Sequence, residues 1–240
     1  MPWPKIADAV VRRLVIYLRV LDEEARQRET TISSYRLAEK TGVSPALVRK
    51  DLAWFGEFGT RGVGYDVAYL RDELHRILNT SQEVRAALVG SGSLGVALTR
   101  YNIRRFASDR TFNVNIVALF DTDPGKIGLK IDGVEIYPLS RLQERVKALG
   151  ITMGIVTVPA YAAQDVVSQL VAAGVQGVLN FAPTPVQVPP GIALQTADLS
   201  LEMQYLAYTM TRRLDKDRDR NWPRAADPSP TPALETRTDS

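Results

Sequence analysis

The sequence predicts an α/β protein in which a small N-terminal winged helix precedes a Rossmann-like domain with a parallel sheet. Two short helices joined by a glycine-containing turn, and then a glycine-rich hairpin, lie within the first 80 residues. After residue 81, apolar strands alternate with helices, which is typical of a parallel sheet with helices on both faces. The first of these strands runs into the segment GSGSLG, a glycine pattern found in dinucleotide-binding turns.

Composition fits a soluble protein with two domains and excludes several kinds of chemistry. The chain has 240 residues, 45% of them hydrophobic, and its net charge of +3 is only a weak indication of a polyanionic partner. It contains no cysteine and a single histidine, His75, so we expect neither a disulfide nor a metal site. The sequence has neither an apolar run long enough for a membrane span nor the core of a signal peptide. We therefore expect a cytoplasmic protein without a membrane partner.

Residues 1–80 form the predicted DNA-binding domain, and its elements follow from apolar spacing and capping residues. Ser34 is the expected N-cap of a short helix that ends near Lys40, and Ser44 is the expected N-cap of the next helix, with Pro45 in its first turn. Longer amphipathic helices flank these elements. The predicted ranges are 5–28 for the first helix, 45–55 for the second of the short pair and 67–78 for the helix that follows the hairpin.

Residues 81–198 form the predicted nucleotide-binding domain, followed by a helix over 199–214 and a disordered tail over 215–240. Five strands are expected, in the segments VRAALVG, NVNIVALFD, TMGIVTVP, GVLNFAP and IALQTAD. The helices between them are expected over 93–106, 139–149 and 160–173.

The paired short helices have the spacing of a helix-turn-helix. Ala38 is small where the helices cross, Gly42 suits a left-handed turn, and Val48 would pack the second helix onto the first. The exposed face of that second helix is small and basic, which suits the major groove, and an arginine in the hairpin tip suits the minor groove. The predicted DNA contacts are Ser44, Arg49, Lys50, Arg61 and Gly62. The alternative is a helical dimerisation domain with ordinary surface charges.

The segment GSGSLG predicts a nucleotide site at the start of a helix. Gly90 would form the tight turn, Gly92 would let a pyrophosphate approach the backbone, and Gly95 would allow close packing of helix and strand. Asp121 ends the next strand, where a carboxylate accepts hydrogen bonds from a ribose and repels a 2′-phosphate, so NADH and NAD+ are expected rather than NADPH. A domain that has lost its nucleotide, or binds another such as coenzyme A, is the alternative.

Two further strand ends are expected over the same crevice, in TVPA and NFAP, although both prolines could simply end strands. The predicted nucleotide contacts are Gly90, Ser91, Gly92, Ser93, Leu94, Gly95, Asp121, Thr157, Val158, Pro159, Asn180, Phe181, Ala182 and Pro183. We find no proton donor or acceptor placed to work on a nicotinamide. No catalytic residue is therefore predicted, and the nucleotide is expected to be bound without being consumed.

The conjunction of these motifs resembles the Rex family of redox-sensing transcriptional repressors. The resemblance covers about residues 4–211, and its marks are RRLVIYLR, VRKDLAWFGEFGTRGVGY, GSGSLG, FDTDP, TVPA and NFAPT. It implies a homodimer in which the C-terminal helix is domain-swapped into the partner. It also implies that the dimer binds double-stranded, palindromic operator DNA and represses transcription, that NADH releases it and that NAD+ competes.

The resemblance also implies a switch formed by Arg19, Tyr101 and Asp198, in which the aspartate changes partners between the arginine and the tyrosine. Leu199 stands where a relative has phenylalanine near the nicotinamide, so an apolar contact is kept and ring stacking is lost. Unrelated surface hydrogen bonds are the alternative for the three polar residues. An NAD-dependent oxidoreductase with an accessory helical domain is the alternative for the whole protein.

Overall fold

The computed structural model describes residues 6–80, 82–109 and 112–221, and of residues 213–221 only the helical backbone. The chain divides into two compact units, residues 1–197 and 198–240. Among the described residues, no helix is both long and apolar enough to cross a membrane.

In the first unit, described residues 6–80 form four helices and a small antiparallel sheet. Its helices are α1 (Asp8–Arg26), α2 (Ser34–Thr41), α3 (Pro45–Ala53) and α4 (Val67–Leu78). The strands are β1 (Thr31–Ile32), β2 (Gly59–Thr60) and β3 (Gly64–Asp66), and β3 pairs with both of the others. Strand β1 was not predicted, because two residues carry no readable periodicity. The order of helices, turn and hairpin agrees with the predicted winged helix.

Capping and packing explain the paired helices α2 and α3. Gly42 ends α2 in the left-handed conformation at φ +73°, and both Ala38 and Val48 are buried, as their spacing predicts. Ser44 caps α3 by accepting from the Leu47 N–H at 3.2 Å. The predicted cap of α2 is wrong by one residue: Ser33, not Ser34, accepts from the Arg36 N–H at 3.1 Å.

The rest of the first unit is built on a seven-stranded sheet with strand order β10-β9-β8-β4-β5-β7-β6. All neighbouring pairs are parallel except β6 with β7. The strands are β4 (Val84–Val89), β5 (Val114–Asp121), β6 (Lys130–Ile131), β7 (Val134–Pro138), β8 (Met153–Val156), β9 (Gly177–Asn180) and β10 (Ala193–Thr196). Strands β5 and β7 extend from β4 to one side and β8 to β10 to the other. The crevice where ligands bind in such sheets therefore opens between β4 and β8.

Helices cover both faces of this sheet, as the alternating pattern predicts. They are α5 (Ser93–Ser108), α6 (Leu142–Ala148) and α7 (Ala160–Ala173), with a short 3-10 turn before α6. Ala87 and Phe120 pack with α6 and α7 on one face, whereas Leu88 and Leu119 belong to the core on the other, with Leu98 of α5. Successive residues of β4 and β5 thus point to opposite cores, which fixes the position of the strand ends above them.

The hairpin of β6 and β7 was not predicted, although the sequence carries a signal for it. Asp132 and Gly133 both have positive φ, 46° and 96°, in the two-residue turn between the strands. An Asp-Gly pair between short apolar runs is a strong indication of such a hairpin.

The described residues of the second unit form one helix, α8 (Leu199–Asn221). It begins where predicted but continues seven residues into the segment 215–240 that was expected to be disordered. The first helix breaker after Leu199 is Pro223, so nothing in the sequence ends the helix at residue 214. The remainder of that segment, residues 222–240, lies outside the described residues, as do residues 1–5 of the predicted first domain.

Candidate nucleic-acid interface and nucleotide site

Helix α3 presents the exposed basic face that its sequence predicts. Arg49 and Lys50 are exposed, whereas Val48 and Leu52 on the opposite side are buried. The Arg49 guanidinium donates to the Ser34 hydroxyl at 2.9 Å, which ties α3 to the start of α2. This arrangement leaves a cationic helix face available to a polyanion such as the DNA backbone or a base edge.

A buried carboxylate in α3, which sequence reasoning missed, holds the helix in place. The Asp51 side chain is 2% exposed and accepts two bonds from the Arg13 guanidinium, at 2.5 and 2.7 Å. The Tyr17 hydroxyl donates to the same carboxylate at 2.8 Å. Burial and the bond to Asp51 raise the pKa of Tyr17, so the phenol remains a proton donor. The motifs RRLVIYLR and VRKDL thus contact each other through these three side chains.

The hairpin carries its arginine at the tip, as predicted. Arg61 and Gly62 are exposed between β2 and β3, and Gly62 has φ +82°. Gly64 brings the hairpin against β1, because a Cβ there would lie 2.6 Å from the Ile32 carbonyl oxygen. A cleft of about 620 Å³ separates this wing from α3, with Arg49 and Arg61 among its lining residues. The two cations therefore border one concave surface.

The predicted nucleotide residues converge on a second cleft, of about 680 Å³, at the carboxyl ends of β4, β5 and β8. Those that line it are Gly90, Gly92, Ser93, Leu94, Asp121, Thr157, Val158, Pro159, Phe181 and Pro183. The others, Ser91, Gly95, Asn180 and Ala182, are buried and do not line the cleft.

The glycine turn is shaped by close approach on one side and open space on the other. Gly90 has φ +100°, and a Cβ there would lie 2.7 Å from the Thr157 carbonyl oxygen. A Cβ at Gly95 would overlap the Gly90 carbonyl oxygen, so helix α5 needs glycine at this point. At Gly92 a Cβ would meet nothing within 4 Å. Gly92 is the N-cap of α5, so the open side is where a phosphate group would approach the free N–H groups of a helix N-terminus.

Asp121 lies at the end of β5, but its carboxylate is already engaged by protein donors. Oδ2 accepts from the Ser91 N–H at 2.9 Å, the Ser91 hydroxyl at 2.5 Å and the Lys126 ammonium at 3.2 Å. Oδ1 accepts from the N–H groups of Thr122 and Asp123, at 2.8 and 3.0 Å. Burial opposes ionisation, but these bonds outweigh it and lower the pKa of Asp121 to about 2. The carboxylate is therefore fully charged near neutrality.

The loops after β8 and β9 are held in place by the side chains of Thr157 and Asn180, both of which are predicted nucleotide contacts. The Thr157 hydroxyl donates to the Gly90 carbonyl oxygen at 2.7 Å and so joins the loop to the glycine turn. The Asn180 amide is fully buried and bonds to Ala182 and Thr184, at 3.0–3.2 Å. Asn180 and Ala182 thus shape the loop that carries Phe181 and Pro183 to the cleft, and their contact with a nucleotide stays a prediction.

Two of the predicted switch residues share a cleft of about 1020 Å³ between α1 and α5. Arg19 and Tyr101 line it, with Arg100 and Arg104. The Tyr101 hydroxyl accepts from the Arg105 guanidinium at 2.8 Å. In the second unit, Asp198 accepts from the Ser200 and Leu201 N–H groups, at 2.9 and 3.3 Å, and so caps α8. Leu199 is exposed at the start of that helix.

Comparison with known proteins finds matches to both parts of the first unit. A family model described as "CoA binding domain" matches residues 81–184, and one described as "Putative DNA-binding protein N-terminus" matches residues 5–53. The redox-sensing transcriptional repressor Rex of Brevibacillus brevis is 46% identical over 86% of this chain and 98% of its own length. That of Streptomyces coelicolor is 42% identical over 88% of this chain and 80% of its own length.

Two solved structures extend the comparison to three dimensions. RSP in complex with β-NAD+ and operator DNA superposes with a TM-score of 0.80 and 32% identity, over 91% of this chain and 99% of that chain. RSP in complex with β-NADH superposes with a TM-score of 0.77 and 31% identity, over 89% and 99%. RSP is itself described as a Rex-family repressor.

A winged helix with a free cationic face, joined to a sheet with a dinucleotide-type crevice, defines a class of DNA-binding regulators that carry a nucleotide-sensing domain. This chain belongs to the Rex family of redox-sensing transcriptional repressors.

Proposed function

We propose that this protein is a cytoplasmic homodimer that binds palindromic operator DNA through its winged helices and leaves it when NADH occupies the β4–β8 crevice. The protein consumes no NADH in this role and is not an enzyme. The observation that carries the proposal is the presence in one chain of an anchored, solvent-facing basic helix and a glycine-turn crevice. Related proteins whose structures contain β-NADH, β-NAD+ and operator DNA support it.

Operator binding is assigned to α3 and the wing. Arg49 and Lys50 would enter the major groove and Arg61 the adjacent minor groove, with the α3 N-terminus at Ser44 and the Gly62 backbone close to phosphates. Exposed cations on a rigid element suit this role, because the Asp51 contacts fix the orientation of α3 before DNA arrives.

Nucleotide binding is assigned to the crevice, with a pyrophosphate over Gly92 and the adenosine ribose near Asp121. The nicotinamide would then lie towards Phe181 and Pro183, since these residues line the crevice on the other side of β4. A reduced nicotinamide is neutral and an oxidised one carries a charge, and burying an unpaired charge is costly. An apolar environment, to which Leu199 would contribute, therefore favours NADH over NAD+.

Dimerisation is assigned to α8. Between Leu199 and Met210 the helix has exposed apolar side chains on several sides: Leu199, Leu201, Met203, Tyr205, Leu206, Tyr208 and Met210, each 55–66% exposed. A helix that is apolar on several sides is stable in water only when it is covered. Insertion of α8 between the two domains of a second copy would bury the helix and would bring the Asp198 that caps it towards the Arg19 and Tyr101 cleft of the second copy.

The test is a titration of NADH into protein bound to fluorescent operator DNA, followed by anisotropy. NADH should release the DNA, and operator DNA should weaken NADH binding by the same factor, because coupling between two sites is reciprocal. Coenzyme A, titrated in parallel, should release none. A complex that keeps its DNA at saturating NADH contradicts the proposal, and so does steady oxidation of NADH when carbonyl substrates are added.

The switch is tested with Asp198→Ala and a control on the same helix, Glu202→Ala. The Asp198 variant should bind NADH and operator separately but release DNA incompletely, whereas the control should behave as wild type. Identical release curves for all three proteins would remove Asp198 from the switch.

A sedimentation experiment should show a dimer, and a monomer at micromolar concentration would overturn the assignment of α8 to dimerisation.

A further inference from the structure

The Asp121 carboxylate in the nucleotide crevice faces more hydrogen-bond donors than it has lone-pair positions. A carboxylate offers about four lone-pair positions. Within the part of the chain that the structure describes, five protein donors already bond to Asp121, three on Oδ2 and two on Oδ1. The two hydroxyls of a ribose can therefore bond to Asp121 only where an existing donor moves away.

The donors differ in their freedom to move. The N–H groups of Ser91, Thr122 and Asp123 belong to the backbone of the two turns, and the Ser91 side chain is buried. Lys126 is different, because its side chain is 37% exposed whereas that of Asp121 is 11% exposed. Its bond to Oδ2 is also the longest of the five, at 3.2 Å. Lys126 is thus the donor that can leave at least cost.

The position of Lys126 beside the carboxylate is set by the backbone. Its N–H donates to the Asp123 carbonyl oxygen at 3.1 Å, which closes a turn directly after β5. From this turn the ammonium lies 3.2 Å from Asp121 and 3.7 Å from Asp123. Lys126 also lines the nucleotide crevice. A flexible cation is therefore held at the mouth of the ribose position by the same segment that supplies the carboxylate.

We propose that Lys126 determines the nucleotide specificity of the crevice: it occupies the ribose position of Asp121 in the free protein, yields to an unmodified ribose diol, and pairs with a 2′-phosphate when one is present. Asp121 repels that phosphate and Lys126 attracts it, so the two residues act in opposition. The preference for NADH over NADPH is then smaller than the carboxylate alone would produce. This inference rests on the assignment of the crevice to a dinucleotide.

The experiment is calorimetric titration of the full-length protein with NADH and, separately, with NADPH. Lys126→Met should weaken NADPH binding by about tenfold or more, the size expected for one lost charge-assisted bond. NADH binding should be unchanged or slightly tighter, because a competitor of the ribose is gone. Lys126→Arg should retain the wild-type ratio. The matched control is Lys130→Met, since Lys130 is an exposed lysine on β6 that does not line the crevice.

A double-mutant cycle sharpens the result. Asp121→Ala should narrow the gap between the NADH and NADPH affinities, and Asp121→Ala/Lys126→Met should bind NADPH more weakly than Asp121→Ala does, because the Lys126 ammonium donates to the phosphate. An equal loss for both nucleotides in Lys126→Met, or no loss for NADPH, overturns the inference. If the wild-type protein binds NADH but does not release operator DNA, the proposed function fails. The comparison of NADH and NADPH affinities then still decides the role of Lys126. If wild type binds neither nucleotide, both fail.

Discussion

Replacing Asp51 by alanine should destabilise the winged helix strongly, since this carboxylate accepts three bonds inside the domain. Loss of the acceptor leaves the fully buried Tyr17 hydroxyl without its partner, a penalty of about 1–3 kcal/mol. Removing one member of a buried ion pair costs about 3–5 kcal/mol. The Arg13 side chain is 22% exposed, so hydration of its guanidinium offsets part of the cost of breaking the ion pair. Both penalties come from the loss of one carboxylate, so they overlap and do not add, and we expect a combined loss of roughly 3–4 kcal/mol.

The assay is urea unfolding followed by circular dichroism, with two comparison variants. Asp51→Asn keeps an acceptor for Tyr17 and should lose only about 1–2 kcal/mol. Asp72→Ala removes an exposed partner of Arg71 and should lose no more than about 0.5 kcal/mol. If Asp51→Ala unfolds within about 1 kcal/mol of wild type, the ordinary loss for a point mutation, the reasoning from the three bonds is refuted.

Three further predictions concern DNA contacts, the glycine turn and acid stability. Lys50→Ala and Arg61→Ala should each weaken operator binding, by about 1–3 kcal/mol where the side chain reads a base edge, with NADH affinity unchanged by calorimetry; unaltered anisotropy curves would remove the winged-helix contacts. Gly92→Ala should keep the wild-type melting temperature, because the added methyl group meets no protein atom, and should lose NADH affinity, because the methyl group enters the space proposed for the pyrophosphate. Gly90→Ala should lower the melting temperature, because its methyl group clashes with the Thr157 carbonyl oxygen. Because the pKa of Asp121 is lowered to about 2, its ionised form stabilises the fold above the unfolded pKa, and that contribution, roughly 2 kcal/mol, is lost as pH falls from about 4 to about 2. Asp121→Asn should abolish that part of the acid transition in denaturation curves, and an unchanged curve would count against the hydrogen-bond account.

Local signals in the sequence were sufficient for most of the fold. The spacing of Ala38, Gly42 and Val48 predicted the paired helices, and GSGSLG predicted the turn at the crevice, because each depends on neighbours within one or two turns of chain. The family resemblance, confirmed by relatives at 40–47% identity, supplied the function. The prediction of the α2 cap failed for a local reason. Ser33 and Ser34 are adjacent and both carry a hydroxyl, so only the backbone angles decide which of them caps α2.

Residues whose role depends on tertiary contact were not found. Asp51 reads as an ordinary polar position of a helix until Arg13 and Tyr17, more than 30 residues away, are brought against it. Lys126 lies only five residues from Asp121, but its role depends on how many donors the carboxylate already has. Asn180 was assigned to the ligand because it ends a strand at the crevice, and only the structure shows its amide turned into the loop.

Helix α1 contacts both functional parts of the first unit, and the strengths of those contacts indicate where motion is possible. Arg13 and Tyr17 bind Asp51 of α3 through partly buried and buried bonds of 2.5–2.8 Å, whereas Arg12 donates to Gln195 of β10 in one exposed bond. An exposed hydrogen bond contributes at most about 1 kcal/mol, several-fold less than the buried group of bonds to Asp51. A force applied to α1 therefore breaks the contact with β10 before it disturbs the contact with α3. Helices α1 and α3 should accordingly move as one rigid body, so the change of partner proposed for Arg19, on the cleft with α5, would reorient α3 without unfolding any part of the winged helix.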